Sequence, residues 1–301
     1  MLLCGQARIR EVPMKKRLNT LTNIMLIVLL IVGLSVMLYP TVANWWNKNM
    51  TTRAVASYRE TVDDLDDETA MKMIDEARLY NKQLAGLFAP FTNYNDVPGY
   101  YDILDVTGTG IMGYITISSV NLELPIYHGT SEGVLNVAAG HMQGSSLPVG
   151  GENTHSVISA HRGLPSARLF TDIDKMVVGD TFTVTVLDQV MTYEVEEILI
   201  VEPTEIDKLA IIPDSDHVTL MTCTPYGINT HRLLIRSHRI DTAYESAKVR
   251  VPSDAAQVDP MMVVPAIASP FVIALLVIWF SGKREEKSVA DRFDIDPKYR
   301  L

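Results

Sequence analysis

The hydrophobic pattern changes its period along the chain, and each change marks a different kind of element. From Ile24 to Tyr39 the residues are nearly all apolar, and Leu21 and Thr22 extend the run to the ~20 residues a bilayer core requires. Between Met50 and Gly86 the period becomes helical: Ala70, Ile74, Ala77, Asn81 and Leu84 recur at spacings of three and four. Asp63, Asp64, Asp66 and Asp67 interrupt it, where one helix stops and a second is capped. That acidic junction lacks the glycine and closing glutamate of a calcium loop, so it reads as a solvated helix boundary. Phe88, Pro90, Phe91, Tyr94, Pro98, Gly99, Tyr100 and Tyr101 then form an aromatic, breaker-rich segment, equally a flap over a cleft or an ordinary linker.

Beyond Gly108 the period falls to that of strands. Ile111–Ile117 and Leu122–Tyr127 are short β-branched and aromatic runs, with Pro125 placing the second at an edge or bulge. After a Gly-rich region from Gly140 to Gly151, Ser156–Ala160 reads as a strand that ends at His161-Arg162-Gly163. Thr181–Leu187 and Met191–Ile200 form a hairpin pair. Val218, Leu220 and Thr222 alternate with Thr219, Met221 and Cys223, then Pro225-Tyr226-Gly227 supplies turn chemistry before a further strand at Leu233–Ile235. The strand count approaches eight with few helical runs between, which predicts a closed or nearly closed antiparallel barrel.

Charge distribution places the ends of the chain. Arg8, Arg10, Lys15, Lys16 and Arg17 precede the first apolar run, while Pro40, Trp45 and Trp46 follow it; the basic end stays inside and the tryptophans mark the outer interface. The run is longer than a signal peptide's apolar core and Thr41-Val42-Ala43 is a poor cleavage site, so an uncleaved anchor is expected. Met261–Phe280 is a second apolar run containing Pro265, Ser269 and Pro270, followed by Lys283, Arg284 and Lys287. The same asymmetry brings both termini to the cytoplasm and exports the chain between the spans. A formal charge of -10, with no basic patch outside these flanks, excludes a nucleic-acid footprint.

The cysteine count sharpens the chemistry. Cys4 and Cys223 are the only two, and this topology separates them, so Cys223 is an unpaired thiol in an exported domain. An antiparallel pairing of its strand with the next brings Arg232 beside it, and a neighbouring cation favours the nucleophilic thiolate. Among the histidines, His161 best fits a proton donor and acceptor because it ends a strand at the barrel rim; His141 is the runner-up. A zinc site at His141, His155 and His161 lacks any recognised ligand spacing. Arg232 is suited to stabilise an oxyanion, whereas Arg236 and Arg239 serve equally for ordinary ion pairs. No carboxylate stands out as a third catalytic member.

Ser159-Ala160-His161-Arg162-Gly163-Leu164-Pro165 and Thr219–Gly227, with Arg232 downstream, resemble the class C, pilin-polymerising sortases of Gram-positive bacteria. Gly113-Tyr114-Ile115, Leu124–Thr130 and Ser146–Gly151 support the resemblance, as does the second apolar run. It implies a mainly β fold, a closed eight-stranded sortase-type β-barrel with N-terminal helices and two transmembrane helices. The expected order is a basic cytoplasmic N-terminus (1–20), a transmembrane helix (21–40), an extracellular helical segment with a lid-position loop (44–107) and the catalytic barrel (108–245). A linker (246–260), a second transmembrane helix (261–281) and a cytoplasmic tail (282–301) complete it. By resemblance the protein is a transpeptidase acting on an LPXTG-type sorting signal of pilin or surface proteins. Cys223 is then the nucleophile, His161 the general acid and base, Arg232 the oxyanion and substrate group, and a pilin lysine the acceptor. The mechanism calls for no cofactor and no metal.

One departure concerns the lid. Pilin sortases usually carry an Asp-Pro-aromatic anchor in the cleft; the nearest material here is Asn95-Asp96-Val97-Pro98, which predicts a weak or absent lid. A housekeeping or accessory sortase that anchors proteins to the wall is therefore the near alternative. L,D-transpeptidases also use cysteine, histidine and arginine, but their Ser-His-Gly-Cys signature is missing. The non-enzymatic alternative is a membrane-tethered pilus-assembly scaffold.

Overall fold

The computed structural model describes residues 12–242. The second apolar run, the linker before it, the tail after it and Cys4 lie outside the described residues. The chain divides at Val42 into two units, each considered by itself. In the first, helix α1 (Val12–Asp63) carries the Ile24–Tyr39 run with most of its side chains exposed. It is long and apolar enough to cross a membrane, a property that an anchor and an export signal share.

The second unit begins with the remainder of α1, which ends at the acidic junction. Helix α2 (Asp67–Ala85) starts where Asp66 accepts the Thr69 N–H at 2.9 Å, the cap the sequence calls for. Its Ile74, Ala77, Tyr80, Asn81 and Leu84 are buried at helical spacing. Asn81 also exchanges hydrogen bonds with the backbone of Leu147, fixing α2 to the barrel. From α1, Tyr58 donates to the Met112 carbonyl and accepts the Leu187 N–H, tying that helix to neighbouring strands.

The strands are β1 (Ile111–Ile117), β2 (Leu122–His128), β3 (Ala139–His141), β4 (Thr154–Ser159), β5 (Thr181–Val186), β6 (Gln189–Val201), β7 (Asp216–Thr224) and β8 (His231–Ile240). They close in the order β1-β2-β3-β4-β7-β8-β6-β5. The barrel is mixed rather than antiparallel: β2 with β3, and β4 with β7, are parallel. Parallel neighbours need crossovers; one carries a short helix at Glu132–Leu135, and the other contains the whole β5–β6 hairpin. Strand β3, absent from the periodicity, is three residues long and straddles the start of the Gly-rich region. Pro125 sits where β2 is paired with β1 alone, because the β3 ladder starts at Ile126, so the missing N–H disturbs no second ladder.

Ile115, Ile126, Ile158, Phe182, Val184, Val218, Leu220, Leu233 and Ile235 fill the interior. Each such side chain contributes about 1.5–3 kcal/mol on burial. A second, smaller cluster lies on the opposite face of the β4-β7-β8-β6 sheet, where Val157, Met221, Leu234, Leu199 and Val201 gather under Leu209 of the β6–β7 loop. The candidate residues Cys223 and Arg232 share this outer face with Met221 and Leu234.

Candidate active site

The pleat decides which way each side chain points. On β7, Val218 and Leu220 enter the core, so His217, Thr219, Met221 and Cys223 face outward. Cys223 is free and half-buried. The turn after it is tight: the Ile228 and Asn229 N–H groups both donate to the Pro225 carbonyl, and Gly227 takes φ +76°, a left-handed conformation that suits glycine. Because this turn sets the hairpin register, β8 returns with Arg232 directly opposite Cys223. Residues opposite each other in such a pair share a face.

Strand β4 approaches from the other side. It runs parallel to β7, pairing His155 with His217 and Ser159 with Met221. The Ala160 N–H donates to the Met221 carbonyl at 3.2 Å, and Thr222 Oγ1 donates to the Ala160 carbonyl at 2.8 Å. β4 ends at Ser159, and His161 follows two residues later at the same end of the sheet as Cys223. Cys223 is thus flanked by Arg232 on β8, with the loop that carries His161 leaving the strand on its other side.

The electrostatics distinguish these groups from their neighbours. Arg232 Nη1 donates only to the carbonyls of Asn229 (3.4 Å) and His231 (3.2 Å), and no carboxylate pairs with it among the described residues. Arg236, on the same face of the same strand, is held by Glu196 and Glu197. Arg239 lies 5.6 Å from the centre of the Tyr193 ring. His161 is half-buried, and its ring has no hydrogen bond among the described residues.

The remaining histidines of the sequence reading are structural. His141 is fully buried, with Nδ1 on the Tyr100 hydroxyl and Nε2 near the Ser146 carbonyl and Ser145 hydroxyl. His155 is bonded to the Ala210 carbonyl and Thr219 Oγ1. Burial lowers both from the ordinary 6.5 to about 4, so each is a neutral group built into the scaffold. The three histidines of the zinc alternative are not brought together as ligands: both ring nitrogens of His141 and His155 already have partners.

The segment between α2 and β1 divides its roles. Its Tyr100 end packs as a linker, with the hydroxyl accepting the Gly129 N–H and donating to the His141 carbonyl. Its other end forms the short helix Pro90–Asn93, and Phe91 packs against the outer-face cluster that includes Met221. A Cβ on Gly144 would come within 2.5 Å of Phe91 Cα, a measure of how closely this helix docks on the β3–β4 loop. No Asp-Pro pair precedes this aromatic: the residue in front of Pro90-Phe91 is Ala89. Ala89 adopts φ 53°, an uncommon conformation for a non-glycine residue.

A free thiol on an outer barrel face, opposite an arginine without a carboxylate partner among the described residues, is a candidate cysteine-nucleophile site. Residues 115–240 match the sortase domain family. Sortase C1 from Streptococcus agalactiae is 46% identical with a TM-score of 0.58, the match covering 63% of this chain and 99% of that one. Sortase C from Clostridium perfringens, solved with the C-terminal cell wall sorting motif, is 44% identical with a TM-score of 0.55, covering 63% and 99%. The chain belongs to the sortase family, and these solved relatives are of class C. Sortase A from Streptococcus agalactiae is 31% identical over 143 residues, which are 45% of this chain and 58% of that protein. The chain thus spans little more than half the length of that curated relative.

Proposed function

We propose that the protein is a membrane-anchored cysteine transpeptidase that cleaves an LPXTG-type sorting signal and transfers the acyl group to a lysine amine of a pilin. The observation that carries this reading is the placement of Arg232 opposite Cys223 on β8, with His161 two residues beyond the end of the parallel β4 ladder. The likeness to sortase C proteins, one of them solved with a sorting motif, supports the substrate class.

In the mechanism, Cys223 Sγ as thiolate adds to the carbonyl carbon of the signal's threonine. The developing oxyanion is stabilised by the Arg232 guanidinium, which has no carboxylate to satisfy first. Collapse breaks the peptide C–N bond, His161 gives its proton to the leaving amine, and a thioester remains on Cys223. The acceptor amine then loses a proton to His161 and adds to the thioester. Loss of the Cys223 thiolate leaves an isopeptide bond. In this reading the barrel lies outside the membrane, with two spans and both termini in the cytoplasm.

Mass spectrometry of the protein incubated with an LPXTG-type peptide tests this. A thioacyl adduct on Cys223 is expected; an unchanged protein mass with intact peptide overturns the reading and favours the scaffold. The likeness to sortase A supports wall anchoring as a second reading. Adding a lysine-bearing pilin separates the two, since only polymerisation gives pilin–pilin isopeptide products.

A further inference from the structure

Strand β4 gives way to a loop just before His161. The last ladder contact is the Ala160 N–H on the Met221 carbonyl, so from His161 onward the sheet no longer fixes the chain. A group that must stay level with Cys223 then depends on other contacts. The Phe170 N–H on the His161 carbonyl (3.1 Å) and the Gly163 N–H on Thr171 Oγ1 tie the loop to the 3-10 segment that follows, and Arg162 supplies the side-chain link to β7. Its Nη1 donates at 3.2 Å to the hydroxyl of Thr224, the residue after the nucleophile. Its Nη2 donates to the Asp174 carboxylate in the 3-10 segment Leu169–Lys175. The guanidinium lies 6.0 Å from the centre of the Tyr226 ring in the β7–β8 turn. Gly163 follows at φ +79°, where a Cβ would come within 3.0 Å of that same ring, so loop and turn are in close packing.

The geometry points to Arg162 as a positioning residue: one guanidinium, fixed by Asp174, fastens the His161 loop to the end of β7 so that imidazole and thiol keep a common register. This rests on the reading of Cys223 and His161 as nucleophile and acid/base. Stability alone does not account for the residue. Its side chain is only 10% exposed, and Nε is buried with no partner among the described residues, which costs free energy that an apolar side chain would avoid. Substrate binding does not account for it either, because both terminal nitrogens are already engaged by protein oxygens. A planar fork reaches two acceptors in fixed directions, which an ammonium does not.

The test uses the full-length chain in detergent with an LPXTG-type peptide, following thioacyl formation on Cys223 by rapid quench and mass spectrometry. Arg162→Gln is expected to slow acylation by about 10- to 100-fold, with the half-saturating peptide concentration held within about threefold. Asp174→Asn is expected to slow it less, by about threefold to tenfold, and the double variant to be no slower than Arg162→Gln alone, since both act through one contact. Arg162→Lys recovers only part of the rate. If Arg162→Gln fails to fold, Thr224→Val removes the same contact and carries the same expectation. A wild-type rate in these variants, a loss confined to peptide binding, or independent losses in the double variant would overturn the assignment. Independently of any substrate, the His161 ring resonances are expected to be sharp in the wild-type protein and broadened in Asp174→Asn; unchanged lines count against the clamp. Wild-type protein that forms no thioester defeats the transpeptidase reading, while the ring resonances still decide the clamp.

Discussion

The two ends of the outer sheet face use the same residue types on the same strands, yet their side chains are treated in opposite ways. At the end away from Cys223, His155 is bonded through both ring nitrogens, His217 lies 3.2 Å from Glu196, and Arg236 is paired with Glu196 and Glu197. At the other end, Cys223 and His161 make no side-chain hydrogen bonds among the described residues, and Arg232 touches only carbonyls. Strand and residue type therefore do not separate a structural histidine or arginine from one proposed to be catalytic. The proposal rests instead on Arg232 and His161 being left without side-chain partners among the described residues, although at the other end the buried Nδ1 of His217 also has none. A saturated guanidinium holds strands together, whereas an unsaturated one remains able to meet charge that develops during a reaction.

The largest expected effects test that contrast directly. Cys223→Ala abolishes thioacyl formation, and His161→Ala lowers kcat by about a thousandfold or more, as loss of one member of a concerted group does. His155→Ala, at the saturated end, is expected to leave kcat within about threefold while costing about 2–3 kcal/mol of stability through its orphaned partners. Peptide turnover and urea denaturation measure the two quantities. A loss of kcat in His155→Ala equal to that in His161→Ala breaks the comparison.

The arginines give the next test. Arg232→Lys replaces a fork with a point charge and is expected to lower kcat by about a hundredfold, the scale of one lost oxyanion donor. Arg236→Lys leaves kcat within about twofold and destabilises instead. Burial alone would raise the Glu196 carboxyl, but Arg236 and His217 outweigh it and hold the group below its ordinary value. Weakening that pairing at Arg236 is thus felt in the denaturation midpoint.

The buried histidines sharpen the comparison through pH. His141 and His155 have folded values of about 4 against an ordinary 6.5, so between these limits the unfolded chain binds more protons. Stability is complete above about pH 6.5 and falls as pH drops toward 4, by an order of 3 kcal/mol for each histidine. Asp216, whose carboxyl burial raises, acts in the opposite sense. The measurement is the urea midpoint as a function of pH in the wild type and in His141→Gln. An identical acid loss in both assigns the effect elsewhere.

Much of the site was legible because its signals are local. The alternation through Val218–Cys223 and the turn at Pro225-Tyr226-Gly227 sufficed to place Arg232 beside Cys223, and the hairpin register agrees. The cap at Asp66 and the buried face of α2 were equally local. What stayed hidden depends on distant partners. Nothing near β4 reveals that it runs parallel to β7, since the chain forms the β5–β6 hairpin between them. The burial that makes His141 structural is supplied by Tyr100 and the Ser145–Ser146 turn, which no periodicity announces. Arg162 was visible as a motif residue, but its partners Asp174 and Thr224 are brought to it only by folding.

Between the two ends lies the apolar middle of the face, and Phe91 rests on it. In the proposed reaction, a peptide that reaches Cys223 along this strip competes with that side chain. The competition is weak, because the aromatic is only partly buried and Ala89 offers no charge to an arginine. Partial burial of a phenylalanine is worth on the order of 1 kcal/mol, about a fivefold shift in the fraction of molecules with the strip uncovered. Phe91→Ala is therefore expected to speed acylation by about twofold to fivefold at low peptide concentration and to change kcat little at saturation. Steady-state kinetics over a range of peptide concentrations check this. Acceleration far beyond tenfold shows that the segment is a strong lid, and no acceleration shows that peptide reaches the thiol without crossing Phe91.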